Sequence, residues 1–458
     1  MKRVAVNVPR HMALILSPVL LAGCGVTLQI PSVTLETSIG EVASAAKITA
    51  RPSGSTPVKP GEPIIVTALD GHLSSVDVIG PKGPLPGTLS DDGTRWQADV
   101  RSLRYNSTYR VEATAIDARG VATTTTNEFS TIAPSKFFTG EVLSPAAGSM
   151  VGVGMPVVVN FDRPIKNRAE VEAALIVRTP TSIEGAWAWR DGTTVEFRPK
   201  SYWPGNITVE VVANFQGLES SNGVYGKGGL ESAFKIGPSM VTKVNAQTFE
   251  AQVLRDGAVV RTIPITTGKS GFETRSGTKV IVSKERTRIM DAATGGTDRS
   301  DPEYYRLTVE YAMRVTYSGE FVHAAPWSVG SQGRANVSHG CIGMSTSNAQ
   351  WLYDQTMVGD IVEVTGTSNL QDLGNGITVW NETWPKWLAR SATGSVSTVS
   401  TGTPAASDQG TDGGTAVVPS ERPSPSQSAQ GSVVPGVPGL VVPSDSASPS
   451  ASPSLPAL

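Results

Sequence analysis

The sequence predicts a mainly β protein with several domains. Most of the chain consists of short alternating apolar and polar runs, separated by turn signals such as "DDG" and "PKG". Glycine (47 residues) and proline (32) are abundant, and no long helical periodicity interrupts the pattern. At 458 residues, the chain is long for one domain and sufficient for three.

The net charge of -2, with 17% charged residues, gives no sign of nucleic-acid binding, which usually needs a basic patch. We therefore expect no nucleic-acid partner.

The N-terminal residues 1–23 have the features of an export signal. Basic residues precede an apolar run of twelve residues, which is too short to span a bilayer but suits a signal peptide. The run ends in "LAGC", which resembles a bacterial lipobox, so Cys24 is the expected site of lipid attachment. The protein should then be extracytoplasmic and lipid-anchored to the cell membrane. The alternative is an ordinary signal peptide followed by an incidental cysteine.

Two consecutive blocks predict β-sandwiches. After a linker at 24–45, residues 46–133 contain five or more short strands, and residues 134–236 have the same character. A "DGT" turn followed by "YRVEATA" or "ITVEVVA" recurs in both blocks, which we interpret as two tandem immunoglobulin-like domains with weak internal homology. His72 stands alone in the first block and indicates no site.

A third β-rich domain is predicted at 237–366. Two alternating runs flank Asp256-Gly257, which is a strong hairpin signal. Residues 345–356 predict one short helix, with Ser345 or Thr346 as its N-cap.

The C-terminal part of the chain divides in two. Residues 367–390 form a Trp-rich extension, and its tryptophans are expected to pack this extension onto the third domain rather than to form a carbohydrate platform. Residues 391–458 contain no aromatic residue and are rich in serine and proline, so they should be disordered.

Rare reactive residues gather in the third domain. Apart from Cys24, Cys341 is the only cysteine, and His323 lies 18 residues upstream of it. A thiolate is a strong nucleophile and an imidazole can take the thiol proton, so the two residues suit nucleophilic catalysis. The predicted helix start and the histidine should both favour the thiolate. Amides around Gly340 could stabilise an oxyanion, and a backbone carbonyl, that of Ala324, must orient the base because no acidic residue adjoins it.

Two other interpretations of these residues remain. Cys341 could be a packed structural thiol, although a polar run precedes it. His323, His339 and Cys341 could instead ligate a metal, although no pair has finger-like spacing and no carboxylate lies close by. We expect no metal and no cofactor.

The motif "SHGCIGMS" resembles the signature of the L,D-transpeptidases, a family with a YkuD-like catalytic domain. "HAAPWSVG" and "SNAQWLYD" followed by "GDIVEV" strengthen the resemblance, which covers residues 240–366. The order of lipid signal, two immunoglobulin-like domains, catalytic domain and Trp-rich extension resembles the actinobacterial, mycobacterial-type enzymes.

The resemblance implies an acyl transfer on peptidoglycan tetrapeptide stems, which serve as donor and acceptor in forming 3→3 cross-links with release of terminal D-Ala. It implies Cys341 as nucleophile, His323 as general base, the backbone of His339 and Gly340 in the oxyanion region, and carbapenems as covalent inhibitors. The substrate-binding positions that it implies are Tyr305 and Met290 in a lid, Ser318, Gly319, Trp327, Ser338 and Gly343.

Two positions depart from the family pattern. Relatives often have asparagine or arginine at position 343, so a side-chain contact to substrate is missing here, and Ala324 replaces a common serine. The alternatives are an L,D-carboxypeptidase, which passes the acyl group to water, and an inactive wall-binding lipoprotein, against which His323 and Cys341 argue.

Overall fold

The computed structural model describes residues 43–98 and 103–402, and the structural statements below concern these ranges. β-Strands dominate, and three short α-helices occur in these ranges, so the predicted mainly β fold is confirmed. The lipobox with Cys24 and residues 403–458 lie outside the described residues. Within the described ranges, no helix has the length and apolarity needed to cross a membrane.

The first sandwich is built from eight strands: β1 (Lys47–Arg51), β2 (Ile65–Leu69), β3 (Gly71–Gly80), β4 (Gly83–Pro84), β5 (Gly87–Leu89), β6 (Arg95–Ala98), β7 (Thr108–Asp117) and β8 (Ala122–Ser130). They form two sheets, in the orders β1-β2-β6-β5 and β4-β3-β7-β8. Alternation in the sequence produces the buried face, since successive side chains of a strand point to opposite sides. In β7, for example, Tyr109 and Val111 are buried while Arg110 is exposed.

The second sandwich contains eleven strands and a short helix: β9 (Lys136–Phe138), β10 (Gly140–Ser144), β11 (Met150–Val151), β12 (Val157–Phe161), α1 (Arg168–Ala173), β13 (Ile176–Thr179), β14 (Glu184–Trp189), β15 (Thr194–Pro199), β16 (Thr208–Asn214), β17 (Glu219–Ser221), β18 (Val224–Gly226) and β19 (Gly229–Ile236). Its two main sheets contain the orders β10-β12-β15-β14 and β11-β19-β16-β13, and β17-β18-β9 form a small third sheet. Every residue of β15 is buried, which shows that both faces of this sheet are covered.

The third domain holds nine strands and one helix: β20 (Met240–Asn245), β21 (Glu250–Arg255), β22 (Ala258–Pro264), β23 (Gly277–Val280), β24 (Ser283–Asp291), β25 (Arg306–Arg314), β26 (Phe321–Ala324), β27 (Ile342–Met344), α2 (Thr346–Gln355) and β28 (Ile361–Thr365). Two sheets result, β22-β21-β20-β28-β23 and β24-β25-β26-β27. The predicted hairpin and helix are both confirmed: Asp256 and Gly257 have positive φ between β21 and β22, and Ser345 caps α2 by accepting from the Asn348 amide at 3.3 Å.

The C-terminal segment contacts two domains. Its residues 367–381 hydrogen-bond to the third domain, as predicted, through Ser276, Thr278 and Ser318. Trp384 and Trp387 pack instead against the second sandwich, so the predicted packing of these tryptophans on the third domain is wrong.

The C-terminal segment contains α3 (Trp384–Leu388), β29 (Val396–Ser397) and β30 (Val399–Ser400). Trp387 is fully buried against Ala186 and Ala188 of β14, and its indole donates to the Ala186 carbonyl at 3.0 Å. The physical reason is Arg198, a nearly buried cation whose guanidinium lies about 5 Å from the rings of Trp380, Trp384 and Trp387.

The segment then reaches both main sheets of the second sandwich. β29 pairs with β14 and β30 pairs with β13, which makes each sheet five-stranded. Glu172 of α1 is buried and accepts hydrogen bonds from Ser391, Ala392 and Thr393. The prediction of disorder from residue 391 onward is therefore wrong for residues 391–402, where strand pairing and a buried carboxylate supply partners that composition does not reveal.

Candidate active site

Two adjacent parallel strands carry the candidate catalytic pair. β26 holds His323 and β27 follows Cys341, and in their register His323 lies opposite Gly343. Residues two apart in a strand share a face, so Cys341 and Gly343 point to the same side as His323. Both side chains accordingly line one cavity of about 280 Å³.

This cavity gathers eight of the twelve predicted site residues around the thiol. Clefts of about 550 to 650 Å³ lie elsewhere in the described ranges, but no cysteine or histidine lines them. The cavity of about 280 Å³ is therefore the candidate active site, because it contains Cys341 and both His323 and His339. Its predicted members are Met290, Tyr305, His323, Trp327, Ser338, His339, Cys341 and Gly343.

His323 is buried, and a backbone carbonyl holds its ring. Its Nδ1 donates to the Ala324 carbonyl at 2.8 Å, which is the contact expected from the sequence. Burial lowers the pKa of His323, and the Ala324 carbonyl opposes the shift only in part. The imidazole is therefore neutral at neutral pH, and with its proton on Nδ1 the Nε2 atom is free to accept the thiol proton.

Cys341 rests as a thiol, contrary to the expectation of a favoured thiolate. Burial raises the pKa of Cys341 to about 12; the Phe321 amide and Lys279 lower it, whereas Glu320 raises it further. The helix that was expected to help begins only at Thr346, because β27 intervenes between it and the cysteine. At neutral pH, the thiol proton is therefore still present on Cys341 in the resting protein.

The backbone around the nucleophile is strained at one glycine. Gly340 has φ of 113°, a conformation that favours glycine, directly before Cys341. Its amide donates to Ser338 Oγ at 3.2 Å, and that hydroxyl donates to the Cys341 carbonyl at 2.6 Å. Since the Gly340 amide is engaged, the amides of His339 and Cys341, which donate to no described group, are the donors left for a substrate oxygen.

Gly319 and Ser318 are not among the residues that line the cavity. The Gly319 carbonyl is 3.8 Å from Cys341 Sγ, so this residue contacts the candidate nucleophile directly. Ser318 is exposed, and its Oγ accepts from the Asn375 side chain at 2.9 Å. The structure thus gives Ser318 a contact with the C-terminal extension, and its substrate role stays a prediction.

His339 is fixed by charged residues that sequence reasoning missed. Glu303 Oε2 lies 2.6 Å from His339 Nε2 and 2.6 Å from Lys269 Nζ. The rings of Phe272 and Tyr305 flank the imidazole at 4.7 and 4.9 Å. Glu303 lies 36 residues from His339 in a polar loop without periodicity, so no sequence signal pointed to it.

The lid positions and Trp327 enclose the cavity. Met290 is the penultimate residue of β24, and Tyr305 directly precedes β25. Burial raises the pKa of Tyr305 to about 12, so the phenol is neutral. Trp327 is 60% exposed, with its ring 6.0 Å from that of His323. An exposed tryptophan at a cavity mouth offers a surface for an apolar part of a ligand.

Close packing around position 343 explains why a glycine stands there, which the sequence did not show. A Cβ at this position would come within 3.0 Å of Ala325 Cβ and 3.1 Å of Thr266 Cγ2. Its amide and carbonyl both pair with Thr266 at 2.9 Å. A side chain at position 343 therefore requires both neighbours to shift.

The metal alternative finds no ligand cluster. Within residues 43–98 and 103–402, no group of three histidine, cysteine or acidic residues has a metal-binding arrangement. His323 Nδ1 and His339 Nε2 are each committed to an oxygen partner.

Comparisons with known proteins address the whole arrangement. Residues 240–364 match the L,D-transpeptidase catalytic domain, and residues 55–219 match a bacterial Ig domain that extends across both sandwiches. L,D-transpeptidase 2 of Mycobacterium tuberculosis is 38% identical over 341 residues, which cover 74% of this chain and 83% of that protein. The chain belongs to the L,D-transpeptidase family.

Further relatives extend the same similarity. L,D-transpeptidase 5 of Mycobacterium tuberculosis is 34% identical over 358 residues, which cover 76% of this chain and 77% of that protein. A solved structure of an L,D-transpeptidase in complex with imipenem is 40% identical to this chain, with a TM-score of 0.42. The match covers 48% of this chain and 96% of the chain in that structure. As a member of the L,D-transpeptidase family, the protein is an acyltransferase with a cysteine nucleophile.

Proposed function

We propose that this protein forms 3→3 cross-links in peptidoglycan, with Cys341 as nucleophile and His323 as general base. The observation that carries the proposal is the placement of both side chains on one wall of one cavity, with the imidazole neutral and Nε2 unengaged. A neutral base beside a neutral thiol suits proton transfer at the moment of attack.

The first half-reaction transfers an acyl group to the enzyme. Cys341 Sγ attacks the carbonyl at the L-centre of the third stem residue, and its proton passes to His323 Nε2. The bond from that carbonyl carbon to the D-Ala nitrogen breaks, His323 returns the proton to the leaving amine, and a thioester remains. Amides of His339 and Cys341 are the available donors for the oxyanion.

The second half-reaction transfers the acyl group onward. The side-chain amine of the third residue in another stem attacks the thioester carbonyl, and the bond to Sγ breaks. The amine loses a proton to His323, which gives it back to Cys341. Attack by water at this step would instead yield the carboxypeptidase product.

Muropeptide analysis tests the proposal. Purified full-length protein is incubated with disaccharide-tetrapeptide, and the products are identified by mass spectrometry. We expect a dimer that lacks one D-Ala, and none with Cys341→Ala. A trimmed monomer alone would establish hydrolysis, and cross-linking by Cys341→Ala would refute the mechanism.

Covalent inhibition provides a second test of the nucleophile. Carbapenem binding is reported for a similar L,D-transpeptidase, and a thiol that attacks a β-lactam carbonyl opens the ring and stays acylated. Imipenem should add once, at Cys341, and not to Cys341→Ala. An adduct that maps to another residue would overturn the assignment.

Lipid anchoring is proposed for the N-terminus, which the described ranges do not include. The support is the "LAGC" motif after an apolar run. The mature protein should partition with membranes, facing the cell wall, and Cys24→Ser should release it or leave it unprocessed. Equal partitioning and processing of Cys24→Ser and the parent protein would remove the lipobox interpretation.

A further inference from the structure

A buried ion pair lies near Cys341, outside the lining of the cavity. Lys279 of β23 and Glu320, which precedes β26, form a salt bridge between the two sheets of the catalytic domain. The exposed fraction is 1% for Lys279 and 6% for Glu320. Charged side chains are rarely enclosed to this degree, and burying such a pair contributes little net stability because both charges lose their hydration.

The Glu320 carboxylate also holds the segment that supports Gly340. Its Oε1 accepts from the Arg275 amide at 3.1 Å and from the Arg275 guanidinium at 3.2 Å. The preceding residue, Thr274, donates from Oγ1 to the Gly340 carbonyl at 2.8 Å. Glu320 therefore fixes, through two contacts, the residue that precedes Cys341.

The negative charge of Glu320 also acts against ionisation of Cys341, although its contacts support the backbone next to that residue. Glu320 directly follows Gly319, whose carbonyl lies 3.8 Å from Cys341 Sγ. Glu320 Oε1 would lie 3.8 Å from a Cβ placed on Gly340, the residue before Cys341. A negative charge at this position disfavours the thiolate that forms during attack, and it raises the pKa of Cys341, whereas Lys279 lowers it. The positive partner is thus needed for the carboxylate to be tolerated there.

The charged or titratable groups around Cys341 fall into two sets. One set lines the cavity or contacts its lining, and it consists of His323, Tyr305 and His339 with Glu303. The other set lies outside the lining, and it consists of Glu320, Lys279 and Arg275. Arg275 is partly exposed and shares its charge with Asp372, which is 68% exposed. Among the described groups around the thiol, Lys279 is therefore the fully buried cation.

We infer that Lys279 is a positioning residue that neutralises Glu320, so that this carboxylate can hold the Arg275–Thr274–Gly340 support without suppressing the Cys341 thiolate. The inference rests on the proposed role of Cys341 as nucleophile. It assigns the buried pair to acylation rather than to stability alone.

The experiment distinguishes the charge of Lys279 and Glu320 from the hydrogen bonds by which Glu320 holds Arg275. Lys279→Met removes the cation with little change in shape, and adding Glu320→Gln removes the opposing charge while keeping an oxygen for the Arg275 amide. Lys243→Met is the matched control, because Lys243 is an exposed cation of the same domain that pairs with the partly buried Glu363. In each full-length protein, the rate of Cys341 alkylation by iodoacetamide is measured from pH 6 to 11, with the adduct quantified on its peptide, and imipenem acylation is measured at pH 7.5.

We expect Lys279→Met to slow alkylation at pH 8 and imipenem acylation by about tenfold or more, because negative charge builds up on Sγ in both reactions and one pKa unit corresponds to a tenfold change in the equilibrium for forming the thiolate. The double variant Lys279→Met/Glu320→Gln should recover to within about threefold of the parent protein, and Lys243→Met should not differ. A merely structural pair would not show this recovery of the thiol titration.

Three results would overturn the inference. They are an unchanged thiol titration in Lys279→Met, a double variant as slow as the single one, and, if Lys279→Met does not fold, a folded double variant more than tenfold slower than the parent. None of these affects the proposed function, because that would fail in the parent protein itself, through absence of an acyl-enzyme or of cross-linked product.

Discussion

At the scale of single residues, the proposed mechanism depends on two groups that are neutral in the resting protein. His323 is buried with one ring nitrogen engaged by Ala324, and Cys341 is buried with its pKa raised to about 12. Neither residue would be reactive by itself. Together they allow one proton transfer coupled to attack, which is the usual use of a positioned base.

Removal of the base is the first prediction. His323→Ala should acylate with imipenem more slowly by roughly two to four orders of magnitude, because no described group replaces Nε2. The measurement is the rate of adduct formation by intact-mass spectrometry. His72→Ala, which removes an exposed histidine of the first sandwich, is the control and should match the parent protein. A His323→Ala rate within tenfold of the parent would contradict the assignment.

The pH dependence of acylation is the second prediction. Since burial lowers the pKa of His323 from its ordinary 6.5, the base becomes protonated, and the rate falls, only below that pH. The plateau should extend through pH 9, because the pKa of Cys341 is raised to about 12. Rates of imipenem acylation between pH 4.5 and 9.5 measure both limits. A rate that climbs steadily from pH 7 to 9 would indicate a preformed thiolate instead.

At the scale of elements, the parallel pairing of β26 and β27 brings His323 and Cys341 together. The C-terminal segment likewise depends on pairing between distant strands. Trp387 packs against β14 of the second sandwich, and β29 and β30 each add one strand to its two main sheets. Buried tryptophan and added strand pairs contribute stability that composition did not suggest.

Truncation of the C-terminal segment is the third prediction. Ending the chain after Gly394 removes β29 and β30, and the melting temperature should fall by several degrees because their sheet pairing with β14 and β13 is lost. Ending it after Gly402 keeps every described contact and should leave the melting temperature unchanged. Equal melting temperatures for the two truncations would show that the terminal strands contribute nothing.

At the scale of the whole molecule, the second sandwich and the catalytic domain share a core. Val280 and Ile361 of the catalytic domain belong to the hydrophobic cluster of the second sandwich, and the Trp380 indole donates to the Gly154 carbonyl at 2.8 Å. The first sandwich contacts the second mainly through Tyr105, whose hydroxyl donates to the Gly226 carbonyl and whose ring packs against Phe137 and Tyr225. Lys59 also pairs with the partly exposed Glu219. A shared apolar core joins two domains more firmly than a few aromatic and polar contacts do.

A comparison of two fragments is the fourth prediction. The fragment 134–402 should acylate with imipenem at the rate of the full chain, since it keeps the shared core and the C-terminal segment. The fragment 237–390 exposes Val280, Ile361 and Trp387, so its melting temperature should be lower and its tendency to aggregate greater. Matching stability of the two fragments would mean that the second sandwich acts only as a spacer.

The sequence alone determined the mainly β architecture of this protein and the motif that identifies its family. Alternating runs produce the sandwiches because a strand places successive side chains on opposite faces, and the Asp256-Gly257 turn and the Ser345 cap act through local backbone geometry. The Ser-His-Gly-Cys motif indicated the nucleophile because cysteine and histidine are rare and carry recognisable reactivity.

Only the tertiary structure decided which distant groups meet. The Lys279–Glu320 pair, the Glu303–His339 contact and the packing of Trp387 on the second sandwich join residues 41, 36 and 201 positions apart. The resting state of Cys341 was likewise decided by burial, which reversed the expectation of a thiolate. Local signals carry no information about such contacts, because long-range packing and desolvation depend on how all the strands are arranged in space.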